Sequence, residues 1–162
     1  MTDELHTLAV ELGEQLKHRQ LMMAAAESCT GGWVAKVITD VPGSSHWFER
    51  GLVTYTNAAK QELLGVSAQT LEQFGAVSLE TVTQMAEGAV SRSHAQVAVA
   101  ISGIAGPGGG SLDKPVGTVC LAWAGLLKTR TSIQRFQGDR EAVRRQAVSL
   151  ALSGLIEYLH NG

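Results

Sequence analysis

Residues 96–102 read QVAVAIS, a near-continuous apolar run that ends in a loop rich in glycine. A run of this kind reads as a central strand covered on both faces, and such a strand needs helices above and below it. The sequence supplies them. Leu5, Leu8, Ala9, Leu12 and Leu16 fall at helical spacing and predict an amphipathic helix over 3–19. Trp33, Val34, Val37 and Ile38 predict a second over about 30–40, stopped by Pro42-Gly43. Three shorter helices follow. Asn57 caps one over 58–64, Ser67 caps one over 68–74, and Ser78 caps one whose stripe is Val82, Met85, Ala86, Ala89 and Val90. Asp139 caps the last, with Val143, Ala147, Leu150, Gly154, Leu155 and Tyr158 on its inner side.

Four more segments read as strands: LMMAAA (21–26), GLVTYT (51–56), VGTVCLAWAG (116–125) and TRTSIQRF (129–136). The last two lie too close for a crossover helix, so they form an antiparallel hairpin and the sheet is mixed. Helices before, between and after buried strands predict an α/β fold, a three-layer α/β/α sandwich. With 162 residues and 44% hydrophobic content, residues 1–162 are expected to form one domain.

The net charge of -2 offers no basic face, so nucleic acid is not an expected partner. No run of 18 apolar residues is present and no membrane span is expected. Acids at Asp3, Glu4, Glu11 and Glu14 argue against a signal peptide. Two cysteines, Cys29 and Cys120, make no disulfide framework, which points to the cytoplasm. The histidines lie apart, so no metal site is expected.

Five segments could carry chemistry. In Ala26-Glu27-Ser28-Cys29-Thr30-Gly31-Gly32 a strand meets a glycine-flanked helix start, which suits a phosphate or carboxylate and equally suits a plain helix cap. Cys29 is either a thiolate lowered by that helix terminus or a small core residue. Gly103, Gly106 and Gly108 sit in a loop at the end of the central strand, where ligands collect in open α/β sheets. A proline inside that loop and a strand after it exclude a dinucleotide fingerprint. Tyr55 and Lys60 flank a strand-to-helix junction, where a helix N-terminus would lower the lysine's pKa and fit it to take a serine's proton. Ser45, after Pro42-Gly43, matters only if Lys60 folds back beside it. Finally, Arg140, Arg144 and Arg145 crowd the start of the last helix, an arrangement that either a phosphate or neighbouring acids would explain.

In order, AESCTGG, DVPGSS, GLVTYTNAAKQELLGV, FGAVS, ISGIAGPGGG, KPVGTV and GDREAVRRQA resemble the CinA C-terminal domain family over roughly residues 5–160. Its stand-alone bacterial members are nicotinamide mononucleotide deamidases; the N-terminal domain of two-domain members has no counterpart here. The resemblance implies hydrolysis of nicotinamide mononucleotide to nicotinate mononucleotide and ammonia, with no metal or cofactor, and a homo-oligomer. It favours Ser45 with Tyr55 and Lys60 as the catalytic group, with Ser28 as rival nucleophile. It implies a substrate pocket of Glu27, Asn57, and a phosphate site at Thr30 to Gly32, at Gly103 to Gly108, or at Arg145. Thr56-Asn57-Ala58 departs from the family's usual residues after the tyrosine, while Tyr55, Asn57 and Lys60 keep their spacing. The competing reading, from the same resemblance, is a catalytically silent nucleotide-binding or interaction module of the competence or damage-inducible type.

Overall fold

The computed structural model describes residues 3–161, and its elements alternate along the chain as the periodicity predicts. They are α1 (Glu4–His18), β1 (Met23–Glu27), α2 (Trp33–Thr39), a 3-10 turn (Ser44–His46), β2 (Phe48–Val53), α3 (Asn57–Leu64), α4 (Ala68–Phe74), α5 (Leu79–Ser91), β3 (Val97–Gly103), β4 (Thr118–Ala124), β5 (Arg130–Arg135) and α6 (Arg140–His160). The strands form one mixed sheet in the order β2-β1-β3-β4-β5. β1 runs parallel to β2 and β3, while β3–β4 and β4–β5 are antiparallel.

The two faces of this sheet differ in side-chain size, and period-two alternation is the cause. Val97, Val99, Ile101, Val119, Leu121 and Trp123 point to one face and are buried under α1, α2 and α6. Ala98, Ala100, Ala122 and Ala124 point to the other, together with Ala24 and Ala26 of β1. That alanine face is covered by α3, α4 and α5, whose Leu64, Leu71, Val82 and Met85 complete a second core. The layers are therefore α/β/α. The connection from β1 to β2 crosses one face through α2, and the connection from β2 to β3 crosses the other through α3 to α5. Adjacent strands β1 and β3 thus leave a crevice at their carboxyl ends, the usual ligand position in open α/β sheets.

Two boundaries depart from the sequence expectation. The second strand spans Phe48–Val53 rather than 51–56, because after one last bond to β1 the chain turns into the cap of α3. Thr54 N–H donates to the Glu27 carbonyl at 2.7 Å, and the Thr56 side chain accepts from Ala59 N as the cap of α3. Asn57, expected as that cap, is instead the first residue of the helix. Likewise α2 starts at Trp33, not near 30, because Gly31 and Gly32 are left-handed at φ +59° and +103°. Among the described residues no helix is long and apolar enough to cross a membrane.

Close helix approach above the alanine face gives a direct test. A Cβ on Gly88 of α5 would lie 1.9 Å from the carbonyl oxygen of Leu64. The obstacle is backbone, so it cannot be relieved by a rotamer change. Gly88→Ala is expected to destabilise the fold by about 1–3 kcal/mol, the usual cost of overpacking, read from the midpoint of urea unfolding.

Candidate active site

β1 ends in Glu27, whose side chain is fully buried. Its carboxylate turns under the start of α2 and accepts four hydrogen bonds. Oε1 accepts from the Thr30 hydroxyl at 2.7 Å, Gly32 N at 3.2 Å and Val34 N at 3.0 Å. Oε2 accepts from Ala35 N at 3.0 Å. The N-cap residue Gly32 has no side chain to offer, so Glu27 does the capping from five residues upstream. The helix terminus already holds an anion, and it belongs to the protein. Glu27 and Thr30 thus serve the helix cap, one of the two readings their spacing left open, and neither they nor Gly31 and Gly32 line the adjacent cleft.

Ser28, the next residue, does line it. The left-handed glycines turn the chain sharply after Ser28, and Arg144 of α6 fastens that turn. Its guanidinium donates to the carbonyls of Cys29 and Thr30, both at 3.0 Å, and lies 5.5 Å from the centroid of the Trp33 ring. Lys60 reaches the same point from α3. Its side chain is only 1% exposed. The ammonium nitrogen sits 2.9 Å from Ser28 Oγ and 2.9 Å from the Thr54 carbonyl oxygen. Burial, with no carboxylate paired to it, pushes the Lys60 pKa below its ordinary 10.5. The cause is desolvation rather than the helix dipole expected from sequence.

The cleft beside this pair has a volume of about 280 Å³ at the carboxyl ends of β1 and β3. Its wall brings together Ser28, Tyr55, Asn57 and Lys60 with Gly103, Gly106 and Gly108 of the glycine loop. Ser102, Ala76 and Val77 add to it. Cys29 also lines the cleft, but burial lifts its thiol to a pKa of about 11, so it stays protonated at neutral pH and is no thiolate nucleophile.

Two further expected residues, Ser45 and Arg145, also lie outside the cleft. Ser45 is exposed on the 3-10 turn and does not line the cleft, and Lys60 folds back to Ser28 rather than to it. Arg145 pairs with Asp3 at 2.6 Å. It borders a separate groove of about 470 Å³ along α1, α6 and β5, where the contact of Ser149 with Glu4 is long at 3.4 Å. The arginine that lines the cleft is Arg140, while Arg144 holds the turn that follows Ser28. Arg140 donates to the Gly106 carbonyl at 2.8 Å and to the Tyr55 hydroxyl at 3.0 Å. Helical spacing carried that signal: Arg140 and Arg144 are one turn apart and share a face, which Arg145 does not. Among the described residues no cluster of His, Cys, Asp or Glu is placed to hold a metal ion.

The molecule is thus a three-layer α/β/α protein with a buried serine–lysine pair in a cleft at the sheet's carboxyl edge. The family model described as CinA C-terminal domain matches residues 5–159, and the chain belongs to that family. It is 56% identical to nicotinamide-nucleotide amidohydrolase PncC of Enterobacter agglomerans, covering 97% of each chain. It is also 56% identical to the protein of the same name from Escherichia coli (strain K12), over 96% of this chain and 95% of that one. Among solved structures, a competence/damage-inducible protein from Agrobacterium tumefaciens superposes with a TM-score of 0.94 at 44% identity, covering 99% of this chain and 98% of the other.

The buried carboxylate is the element most open to test. Glu27→Ala would leave the N–H groups of Gly32, Val34 and Ala35 facing a void. A loss of stability on the order of 3 kcal/mol is expected, measured by chemical denaturation. A change below about 0.5 kcal/mol would show that α2 does not depend on this cap.

Proposed function

We propose that this chain hydrolyses the carboxamide of nicotinamide mononucleotide, with Ser28 as nucleophile and Lys60 as its base. The observation that carries this reading is the Lys60–Ser28 contact: a buried amine with a lowered pKa, 2.9 Å from a serine hydroxyl at the edge of a cleft. The relatives named nicotinamide-nucleotide amidohydrolase favour it over a silent binding module. The substrate is a small molecule that enters the cleft with its carboxamide toward Ser28.

The chemistry follows from the proton positions. Neutral Lys60 keeps one donated hydrogen bond, to the Thr54 carbonyl, and turns its lone pair to the Ser28 hydroxyl. As Ser28 Oγ bonds to the carboxamide carbon, its proton passes to Lys60. The donors available for the oxyanion are the backbone N–H groups of Cys29, the residue after the nucleophile, and of Ala105 and Gly106, since Ile104 N–H is spent on the Thr118 carbonyl. The C–N bond then breaks, and Lys60 returns the proton to the departing nitrogen as ammonia leaves. Water, deprotonated by the same lysine, attacks the acyl-serine ester; Lys60 then passes that proton to Ser28 Oγ as the ester bond breaks, releasing the nicotinate nucleotide and restoring the serine. Tyr55 and Asn57 border the substrate's path, with the Tyr55 hydroxyl engaged by Arg140 rather than by Lys60. The two buried, unpaired cysteines support a reducing compartment such as the cytoplasm, and the shared central sheet supports a single domain.

Ammonia release from nicotinamide mononucleotide tests the activity. Ser28→Ala is expected to lower kcat by on the order of 10³-fold or more, while Ser45→Ala stays within about twofold because its hydroxyl is outside the cleft. The reverse pattern would move the nucleophile to Ser45. Protonated Lys60 cannot accept a proton, so kcat/KM should rise with pH through one ionisation below the ordinary lysine value of 10.5. A profile without that rising limb would remove Lys60 as the base.

A further inference from the structure

We infer that Arg140 is the residue that holds the phosphate of the nucleotide substrate, an inference that rests on the amidohydrolase reading above. Lys60 and Arg140 are the two cationic side chains lining the cleft. Lys60 is buried and must be neutral to act on Ser28, so it cannot also neutralise a dianion. The start of α2, a natural anion site, is filled by the carboxylate of Glu27. Arg144 is spent on the carbonyls of Cys29 and Thr30 and on the Trp33 ring. Arg145 is spent on Asp3 outside the cleft.

Arg140 differs from all of these. Its partners in the cleft are neutral: the Gly106 carbonyl at 2.8 Å and the Tyr55 hydroxyl at 3.0 Å. Among the described residues it has no carboxylate within ion-pair distance. A guanidinium keeps further N–H donors when two are used, arranged in a fork that matches phosphate oxygens. The two neutral bonds fix the arginine between the glycine loop and the α3 entry without cancelling its charge. Asp139, the acid beside it, is turned into its own helix, where its Oδ1 accepts from Ala142 N. The glycine loop therefore contributes to phosphate binding by orienting Arg140 through the Gly106 carbonyl.

Steady-state kinetics on nicotinamide mononucleotide decides the matter, with wild type, Arg140→Gln and Arg140→Lys compared at low and high ionic strength. Loss of one charge-assisted contact predicts a KM about 10- to 100-fold higher in Arg140→Gln, with a much smaller fall in kcat. Arg140→Lys is expected to recover part of that KM, because it restores the charge without the bridge to Gly106 and Tyr55. The wild-type KM should rise with salt, and the Arg140→Gln KM should respond less. A KM within twofold of wild type in Arg140→Gln overturns the inference. So does a fall in kcat as large as the rise in KM that Arg140→Lys does not relieve, since that pattern marks a structural bridge. Wild-type protein that releases no ammonia overturns the function reading instead; the equilibrium affinity of the same variants for nicotinate mononucleotide then decides the role of Arg140 on the same fold-changes.

Discussion

A buried carboxylate is costly unless every lone pair facing the protein finds a donor. Glu27 meets that condition with one hydroxyl and three backbone N–H groups. Those bonds join the end of β1 to the start of α2 and force the intervening residues into a tight reversal. Ser28 sits at the apex of that reversal because the carboxylate anchors one side of it and Arg144 the other. The position of Ser28 is thus a product of capping. If the cap were an ordinary serine at the helix entry, the turn would have no reason to close on the cleft.

The same arrangement separates two kinds of electrostatic work. One anion, Glu27, is consumed inside the scaffold. One cation, Lys60, is kept buried with neutral partners so that its proton is easily lost. A second cation, Arg140, stays near the cleft mouth with its charge uncancelled. Burial decides between the two cations: desolvation makes a lysine a base, while an exposed guanidinium stays charged at any ordinary pH.

The layered architecture was legible in the sequence because it rests on periodicity. The alternation of valine and alanine in QVAVAIS already contained the two unequal faces, and the caps at Ser67, Ser78 and Asp139 stand where the sequence put them. Contacts between distant residues were not legible. Nothing local shows that Glu27 will fold under α2, so its segment read as either an anion site or a plain cap by Ser28 or Thr30. Nothing local chooses between Ser28 and Ser45 for Lys60, since the choice depends on the parallel pairing of β1 with β2, which carries Thr54 and the start of α3 to the end of β1. The choice among three arginines was closer to hand. It needed only the helical period applied to a motif that had already been singled out.

One consequence of the Arg144 latch concerns the order in which the molecule can be assembled. Ser28, Tyr55 and Lys60 all precede β3, whereas the side chain that clasps the Ser28 turn follows Cys29 by 115 positions. α6 emerges from the ribosome after every other contributor to the cleft. The serine turn is therefore clasped only once α6 has packed, and the same helix that completes one face of the core also fastens the cleft.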